Sequence, residues 1–276
     1  MSENFIPLVS IITPCRNSER FIERTILSVL NQSYQNIEYI VIDGSSSDGT
    51  LDIIRKYHDN ITYWISEPDN GMYHAINKGI EVAKGDIICY LNSDDILYID
   101  SIEHVVNYFT TYPDCDLVYG DLDYIDDSGK ILYKIIFPSF NFLFFSTSKF
   151  STIGQPSSFW RRSLQEKVGR FNDELKMASD FEFYIRAGLV GNIVHLNESF
   201  AAFRVHDESL TAKGTKLSSV ELTVIRKRHL STSYYLISPL LSVIYKCYFA
   251  VLNWRFYTIM IVTSIRRIFL NHQSKM

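Results

Sequence analysis

The sequence predicts an α/β fold in which helices flank a mostly parallel β-sheet. In the first half of the chain, short apolar runs alternate with segments whose apolar residues recur at helical spacing, a pattern typical of repeated strand–helix–strand units. Hydrophobic residues make up 46% of the 276 residues and charged residues only 21%, so the chain can form a large core. The net charge of −4 gives no general attraction for nucleic acid, and we expect no nucleic-acid partner.

The first hundred residues contain four predicted strands and three predicted helices. The first helix should carry its buried stripe on residues such as Phe21, Ile26 and Val29, with Asn17 or Ser18 as its N-cap. In chain order, the predicted elements are a strand at 8–13, a helix at 19–32, a strand at 37–42, a helix at 49–57, a strand at 61–65, a helix at 72–83 and a strand that begins at 87. Farther along, 117–124 and 130–137 should form a hairpin through the turn at 126–129.

Polar residues follow each predicted strand where the strand ends. The fourth strand ends in adjacent carboxylates, Asp94 and Asp95. The carboxyl ends of parallel strands meet at one edge of a sheet, and two carboxylates there could hold a divalent cation that carries a diphosphate. Paired aspartates after a strand also cap helices or form turns, so both interpretations stay open. The chain has neither GxGxxG after the first strand nor GxxxxGK[ST], so a bound phosphate would need a metal.

Four motifs occur in register over about residues 7–210. They are Val-Ser-Ile-Ile-Thr-Pro at 9–14, Asp43 within Ile-Asp-Gly-Ser-Ser-Ser-Asp-Gly-Thr, Asn77-Lys78-Gly79 before Ala-Lys-Gly-Asp at 83–86, and Asn92-Ser93-Asp94 after the fourth predicted strand. Together they resemble the GT-A glycosyltransferases of family 2, in which Asn92-Ser93-Asp94 would occupy the metal-binding DXD position. The resemblance implies a Rossmann-like GT-A fold and an inverting transfer from a nucleotide sugar, usually a UDP-sugar.

The same resemblance assigns donor and metal residues. It implies Mn²⁺ or Mg²⁺ as the cofactor, with Asp94, Asp95 and His206 as candidate ligands. Asn92 stands where the family has its first aspartate, and the sequence does not show which of the two following aspartates binds the metal directly. The candidate nucleotide-binding residues are Thr13, Pro14, Asp43, Asp69, Asn77, Asn92 and Ser93. Asp43 could also cap the turn that follows it, and Asp69 lies in a turn sequence of its own.

The acceptor side and the base are assigned in the same way. Asp180, in Met-Ala-Ser-Asp-Phe-Glu, resembles the family's catalytic base, although the residue type alone would favour a helix N-cap. Glu182 is a weaker alternative because it should point to another face of the helix. Gln155 and Trp160 lie in the segment that resembles the acceptor-side strand, and a tryptophan there is more often part of a core.

The C-terminal region differs in character from the rest. Residues 1–215 are predicted as the catalytic domain, and 216–276 as a helical, apolar tail. Within it, 234–270 could lie on a membrane as amphipathic helices or pack as a soluble helical pair on the catalytic domain or on another subunit. The N-terminus shows no signal peptide, which leads us to expect a protein at the cytoplasmic face of a membrane.

The sequence therefore predicts a metal-dependent, inverting glycosyltransferase in surface polysaccharide biosynthesis. Its acceptor would be a glycan or a glycan linked to a polyprenyl diphosphate. The alternative is a non-catalytic partner that binds nucleotide sugar or glycan within a membrane-associated assembly complex, and Asn92 is the feature that favours it.

Overall fold

A computed structural model describes residues 6–148, 151–209, 215–230 and 232–254. Within these ranges the chain forms nine strands and nine α-helices, with a short 3₁₀ turn at Gln155–Ser157. The strands are β1 Val9–Cys15, β2 Ile37–Asp43, β3 Tyr63–Ser66, β4 Ile87–Tyr90, β5 Ile96–Leu97, β6 Leu117–Ile125, β7 Ile131–Ile135, β8 Ser158–Arg161 and β9 Ile193–Arg204. The helices are α1 Ile22–Leu30, α2 Thr50–Lys56, α3 Met72–Val82, α4 Ser101–Thr111, α5 Phe142–Thr147, α6 Arg162–Val168, α7 Ser179–Val190, α8 Thr215–His229 and α9 Thr232–Leu252.

The strands form one mixed sheet, in the order β3-β2-β1-β4-β8-β6-β9-β5, with β7 paired to β6. The α/β class is confirmed, but the prediction of a mostly parallel sheet is wrong. The pairs among β1 to β4 are parallel, whereas β8 runs antiparallel to both of its neighbours, β4 and β6. Strand direction depends on how long connections return the chain to the sheet, which apolar periodicity does not record. The predicted hairpin of β6 and β7 is confirmed.

The strands β1 and β2 lie in the core. All seven residues of β1 are buried, as expected of a strand covered on both faces. Helix α3 packs directly on β1, and Gly79 makes this close approach feasible. A Cβ atom at Gly79 would lie 2.4 Å from Cγ2 of Ile12, so any side chain there would push the helix away from the strand.

Helix α1 begins later than the sequence predicts. Neither Asn17 nor Ser18 caps it, since Phe21 occupies the N-cap position and makes no side-chain capping bond. Asn17 instead has a positive φ of 50°, and its side-chain oxygen accepts a hydrogen bond of 2.9 Å from the backbone of Ser47. The segment after β1 is therefore a turn tied to the loop after β2, which places both loops at the same sheet edge.

Helices α8 and α9 pack on the rest of the protein in the described ranges. On α9, the buried Phe249 faces inward, and Asn253 just after the helix accepts from the Ile136 backbone N–H at 2.8 Å and donates to its carbonyl at 2.9 Å. No helix in the ranges described is both long and apolar enough to cross a bilayer. Residues 255–270 of the predicted tail lie outside the described residues.

Candidate functional site

A cavity of about 850 Å³ opens at the carboxyl ends of β1 and β4. This volume lies in the range of sites that enclose a small organic ligand. Eight of the residues selected from the sequence line it, namely Pro14, Asp69, Asn92, Ser93, Asp94, Gln155, Asp180 and His206. Thr13, Asp43, Asn77, Asp95 and Trp160 are not on its wall.

Asp94 and His206 form a pair on the cavity wall, although they are 112 positions apart in the sequence. The imidazole Nε2 of His206 lies 2.9 Å from Oδ2 of Asp94. The other ring nitrogen of His206 is buried without a hydrogen-bond partner. A carboxylate oxygen and an imidazole nitrogen are both ligands for Mn²⁺, and this pair could hold one side of a cation.

Asp95 points away from the cavity and is fully buried. Its Oδ1 accepts a hydrogen bond of 2.9 Å from the backbone of Arg204. Burial, and then the neighbouring charge of Asp94, raise the pKa of Asp95 well above its ordinary value. Asp94 is therefore the better placed of the two aspartates to contact a bound cation, while Asp95 ties the loop after β4 to the end of β9.

Asn92 lies between the Asp94–His206 pair and the segment that contains Gln155. Its side-chain amide donates to Oε1 of Gln155 at 3.2 Å, and Gln155 in turn donates to the Tyr90 carbonyl at 2.7 Å. The Oδ1 atom of Asn92 is buried and has no partner. A free amide oxygen can coordinate a hard cation or its water. The site thus offers three donor groups of suitable chemistry, although no three His, Cys, Asp or Glu side chains in the described ranges converge as a preformed metal site.

The donor-side residues of β1 and β2 lie partly behind the wall. Thr13 and Asp43 are fully buried, and Asp43 accepts hydrogen bonds from Ser46 and, at 2.6 Å, from the Ser66 hydroxyl. The Asp43 carboxylate therefore organises the loops after β2 and β3. Asp69 reaches the cavity, and its carboxylate packs closely against Gly44. A Cβ atom at Gly44 would lie only 2.3 Å from Oδ2 of Asp69, so a side chain there would displace the carboxylate.

The structure places Asn77 and Trp160 in the core, away from the cavity. The amide of Asn77 donates to the Phe171 carbonyl at 2.8 Å and accepts from the Phe171 backbone N–H at 2.9 Å. Trp160 is fully buried and donates to Gln165 at 2.9 Å. Both side chains have their polar groups satisfied internally, so neither is available to a ligand in this arrangement.

Asp180 is partly buried in the first turn of α7 and lines the cavity. Its Oδ1 accepts a hydrogen bond of 2.7 Å from the Phe181 backbone and one of 3.4 Å from the Tyr73 hydroxyl. Burial is the main reason that the pKa of Asp180 rises to about 6. A carboxylate with such a pKa is mostly ionised at pH 7 and is a stronger base than an exposed aspartate. Glu182 instead pairs with Arg186 at 2.7 Å and does not line the cavity.

Glu221 is a site-supporting residue that sequence reasoning missed. It lies on α8, is almost fully buried, and accepts backbone hydrogen bonds from residues 176, 177 and 178 at 2.7, 2.9 and 2.9 Å. These three residues lead directly into α7 and Asp180. The charge of Glu221 also contributes to the raised pKa of Asp180. The sequence gives no local signal for this contact, because it spans more than forty positions.

Cationic side chains and an apolar surface also line the cavity, and one of the cations, Arg20, is paired with Asp127. Arg16 is exposed at the end of β1, and Lys176 donates from its ammonium group to the Asn70 carbonyl at 2.9 Å. Both are placed to attract an anionic ligand. Part of the wall is apolar and includes Leu122, Tyr124, Ile135, Phe137, Ile153, Phe203 and Phe249. The cavity therefore has one polar, charged part and one apolar part.

The comparisons with known proteins agree with this geometry. The profile of glycosyl transferase family 2 matches residues 10–169, which is more than half of the chain. The chain belongs to glycosyl transferase family 2. A glycosyltransferase of Rickettsia typhi, described as uncharacterised, is 31% identical over 237 residues, covering 80% of this chain and 71% of that protein. The hyaluronan synthase of Pasteurella multocida is 28% identical over 214 residues, which is 76% of this chain and 22% of the synthase.

Two solved structures share the fold at low sequence identity. TarS of S. aureus in complex with UDP-GlcNAc is 18% identical with a TM-score of 0.66, over 86% of this chain and 71% of that one. The mannosyltransferase PcManGT of Pyrobaculum calidifontis, in complex with GDP-Man and Mn²⁺, is 17% identical with a TM-score of 0.63, over 89% and 70% of the two chains. The family 2 chain thus has the α/β fold, with its mixed sheet, of GT-A-like glycosyltransferases.

Proposed function

We propose that this family 2 protein is an inverting glycosyltransferase that moves a sugar from a nucleotide donor, most simply a UDP-sugar, to a hydroxyl group of a glycan or lipid-linked glycan. The observation that carries the proposal is that Asp180, with its raised pKa, lines the same cavity as the Asp94–His206 pair. A base and an anion-binding region in one cavity are what displacement of a nucleoside diphosphate by a hydroxyl requires.

In this mechanism, Asp180 removes the proton from the acceptor hydroxyl as its oxygen attacks the anomeric carbon. The new bond forms on the face opposite the diphosphate, the bond from that carbon to the diphosphate oxygen breaks, and the nucleoside diphosphate leaves with the bonding electrons. Attack from the opposite face inverts the anomeric configuration. The hydrogen bonds from Phe181 and Tyr73 hold Oδ1 of Asp180, which leaves Oδ2 for the acceptor.

A divalent cation fits the proposed donor side. Asp94 and His206 would hold it, and the unpartnered Oδ1 of Asn92 could bind it or its water. When bound, such a cation neutralises negative charge on the diphosphate. Arg16 and Lys176 add positive charge at the same cavity and would help to retain an anionic donor. Pro14, Asp69 and Ser93 face the cavity and are the proposed nucleotide contacts, with Thr13 and Asp43 behind them.

The relatives supply the proposed context. The names of the related hyaluronan and chondroitin synthases, and the UDP-GlcNAc bound to TarS, support a UDP-sugar donor and a role in polysaccharide synthesis. The GDP-Man bound to PcManGT shows that the shared fold also accepts another base, so the nucleotide has to be tested directly.

The test is calorimetric titration of UDP and GDP into the purified protein, first with Mn²⁺ and then with chelator, followed by turnover assays over a panel of nucleotide sugars. We expect Mn²⁺-dependent binding of UDP that is lost in Asp94→Asn and kept in Asp52→Asn, which removes a surface carboxylate. Metal-dependent binding without turnover of any donor would favour the non-catalytic alternative. Absence of nucleotide binding by the intact protein would overturn the proposal.

A further inference from the structure

The charge of the chain is divided unevenly along its length. Residues 222–276 contain eight lysines and arginines and no aspartate or glutamate, whereas the whole chain has a net charge of −4. The last acidic residue is Glu221, which is buried at the site described above. The C-terminal fifth of the protein is therefore strongly basic on an otherwise acidic molecule. Such a segment is attracted to anionic surfaces.

Helix α9 presents an apolar stripe to solvent. Its members recur at the spacing of one helix face, and most are about half exposed or more. They are Leu240, Val243, Ile244, Tyr248 and Val251, and the exposed Trp254 follows the helix at the same spacing. Lys246 is also exposed and is the one charged residue of α9. An apolar stripe flanked by a cation and aromatic side chains is typical of helices that lie in the interface of a membrane.

Helix α8 also carries exposed apolar residues together with exposed cations. Leu217, Val220 and Val224 are exposed at spacings of three and four residues. Lys227 and Arg228 are exposed in the last turn of the helix. Since α9 begins only three residues after the end of α8, these two cations lie close in sequence to the start of the next helix.

Within the described residues, the outward stripe of α9, from Leu240 to Val251, is separate from the contact that holds the helix to the catalytic domain. That contact is made on the opposite side, where Phe249 is buried and Asn253 binds the backbone of Ile136 at both its N–H and its carbonyl. Phe249 lies five positions after Ile244, about half a helical turn away from the stripe. In the described part of the chain, the apolar side chains from Leu240 to Val251 are therefore exposed while the helix is docked.

We propose that the exposed apolar and basic residues of α8 and α9 dock the protein on an anionic lipid bilayer. Charge decides between a bilayer and a second copy of the chain. A symmetric contact between two copies would bring like charges together, because the segment contains no acidic residue to pair with them. Anionic lipid head groups complement the same cations, and each exposed lysine or arginine near such a surface strengthens binding by about five-fold.

Docking of this kind would orient the catalytic cavity. Phe249 forms part of the apolar cavity wall on one side of α9, and the stripe would face lipid on the other. The apolar part of the cavity would then lie about one helix diameter from the bilayer. If the proposed function holds, an acceptor attached to a membrane lipid could enter there without leaving the membrane.

The first experiment is co-sedimentation of the full chain with vesicles of phosphatidylglycerol and phosphatidylcholine, compared with phosphatidylcholine alone. We expect binding to the anionic vesicles that weakens with added salt. The triple variant Lys227→Gln/Arg228→Gln/Lys246→Gln should weaken binding by on the order of 100-fold. The matched control Arg55→Gln/Lys56→Gln removes exposed cations from α2 and should bind as the unaltered protein does.

A second variant separates the apolar contribution from the charge. Val243→Ser/Ile244→Ser/Val251→Ser should lose vesicle binding, whereas Leu189→Ser/Val190→Ser, which alters exposed apolar residues at the end of α7, should keep it. The proposal would be overturned if the stripe variant bound vesicles as well as the Leu189→Ser/Val190→Ser control does, or if the unaltered protein did not bind them. It would also be overturned if the stripe variant bound vesicles normally and changed only the oligomeric state, measured by analytical ultracentrifugation without vesicles. A second copy of the chain would then cover the stripe. UDP affinity measured without vesicles tests the donor site separately, and the stripe variant should leave it unchanged.

Discussion

Replacing Asp180 by asparagine should inactivate the protein and stabilise it. Burial raises the pKa of Asp180 from its ordinary value of 3.8 to about 6, so the ionised carboxylate is held in an unfavourable environment at pH 7. A shift of this size corresponds to about 3 kcal/mol for a group fully shielded from solvent. Because the side chain is only partly buried, we expect a gain of about 1–2 kcal/mol in the free energy of unfolding.

The pH dependence of stability follows from the direction of the pKa shift. A carboxyl group whose pKa is higher in the folded than in the unfolded state binds more protons when folded, between about pH 4 and pH 6. The free energy of unfolding of the unaltered protein therefore falls as the pH rises through this window. Asp180→Asn does not titrate, so its advantage in stability should be absent near pH 4 and complete above pH 6.

Urea unfolding of both proteins at pH 4 and at pH 7 measures this difference, and a transfer assay at pH 7 measures the loss of activity. Transfer should fall by about 100-fold or more, with UDP affinity unchanged, since general-base catalysis contributes that much. The exposed Asp52→Asn variant serves as the control. If Asp180→Asn were less stable at both pH values and still active, Asp180 would be a helix-terminus residue and its role as the base would be refuted.

Three further predictions concern the same site, and a fourth concerns the core. In the unaltered protein, transfer should fall by about ten-fold between pH 7 and pH 5 as Asp180 is protonated, which a pH–rate profile shows. Asp94→Asn should weaken Mn²⁺-dependent UDP binding more than Asp95→Asn, because only Asp94 lines the cavity, and calorimetry would show equal losses if that placement were wrong. Glu221→Gln should lower kcat with little change in UDP affinity, and should move the acid limb of the pH–rate profile to lower pH, since one negative charge that raises the pKa of Asp180 is removed. Trp160→Ala should cost about 3–5 kcal/mol of stability in urea unfolding, as expected of a buried core residue; a stable variant with weakened acceptor binding would contradict this.

The strand ends were predictable because buried parallel strands give continuous apolar runs that stop where the polar loops begin. This placed Asp94 at the site, whereas Asp180, 86 positions farther along on α7, was assigned from the family resemblance. Adjacent residues at a strand end point in different directions, so the sequence could not tell that Asp94 faces the cavity and Asp95 the core. Asn77 belongs to a recognisable motif, yet its amide binds the Phe171 backbone, a partner 94 positions away that no local pattern reveals.

The antiparallel β8 was missed for a related reason. The segment reads as a strand, but its direction depends on the path of the chain between β7 and β8, and part of that path carries no periodic pattern. Glu221 was missed because it lies on a helix without a recognisable motif, 41 positions after Asp180. The role of this buried carboxylate is visible only in the structure, where it accepts hydrogen bonds from three backbone N–H groups.

The three hydrogen bonds between Glu221 and the backbone of residues 176–178 affect how shortened forms of this protein should be designed. The family profile ends at residue 169, and the composition of the chain invites a cut near residue 215. A fragment ending there would retain every strand of the sheet and could pass tests of folding and UDP binding. It would nevertheless lack the side chain that fixes the segment before Asp180, and its inactivity would be misread as the wrong choice of donor. Expression boundaries should therefore be set beyond α9 before any substrate screen begins.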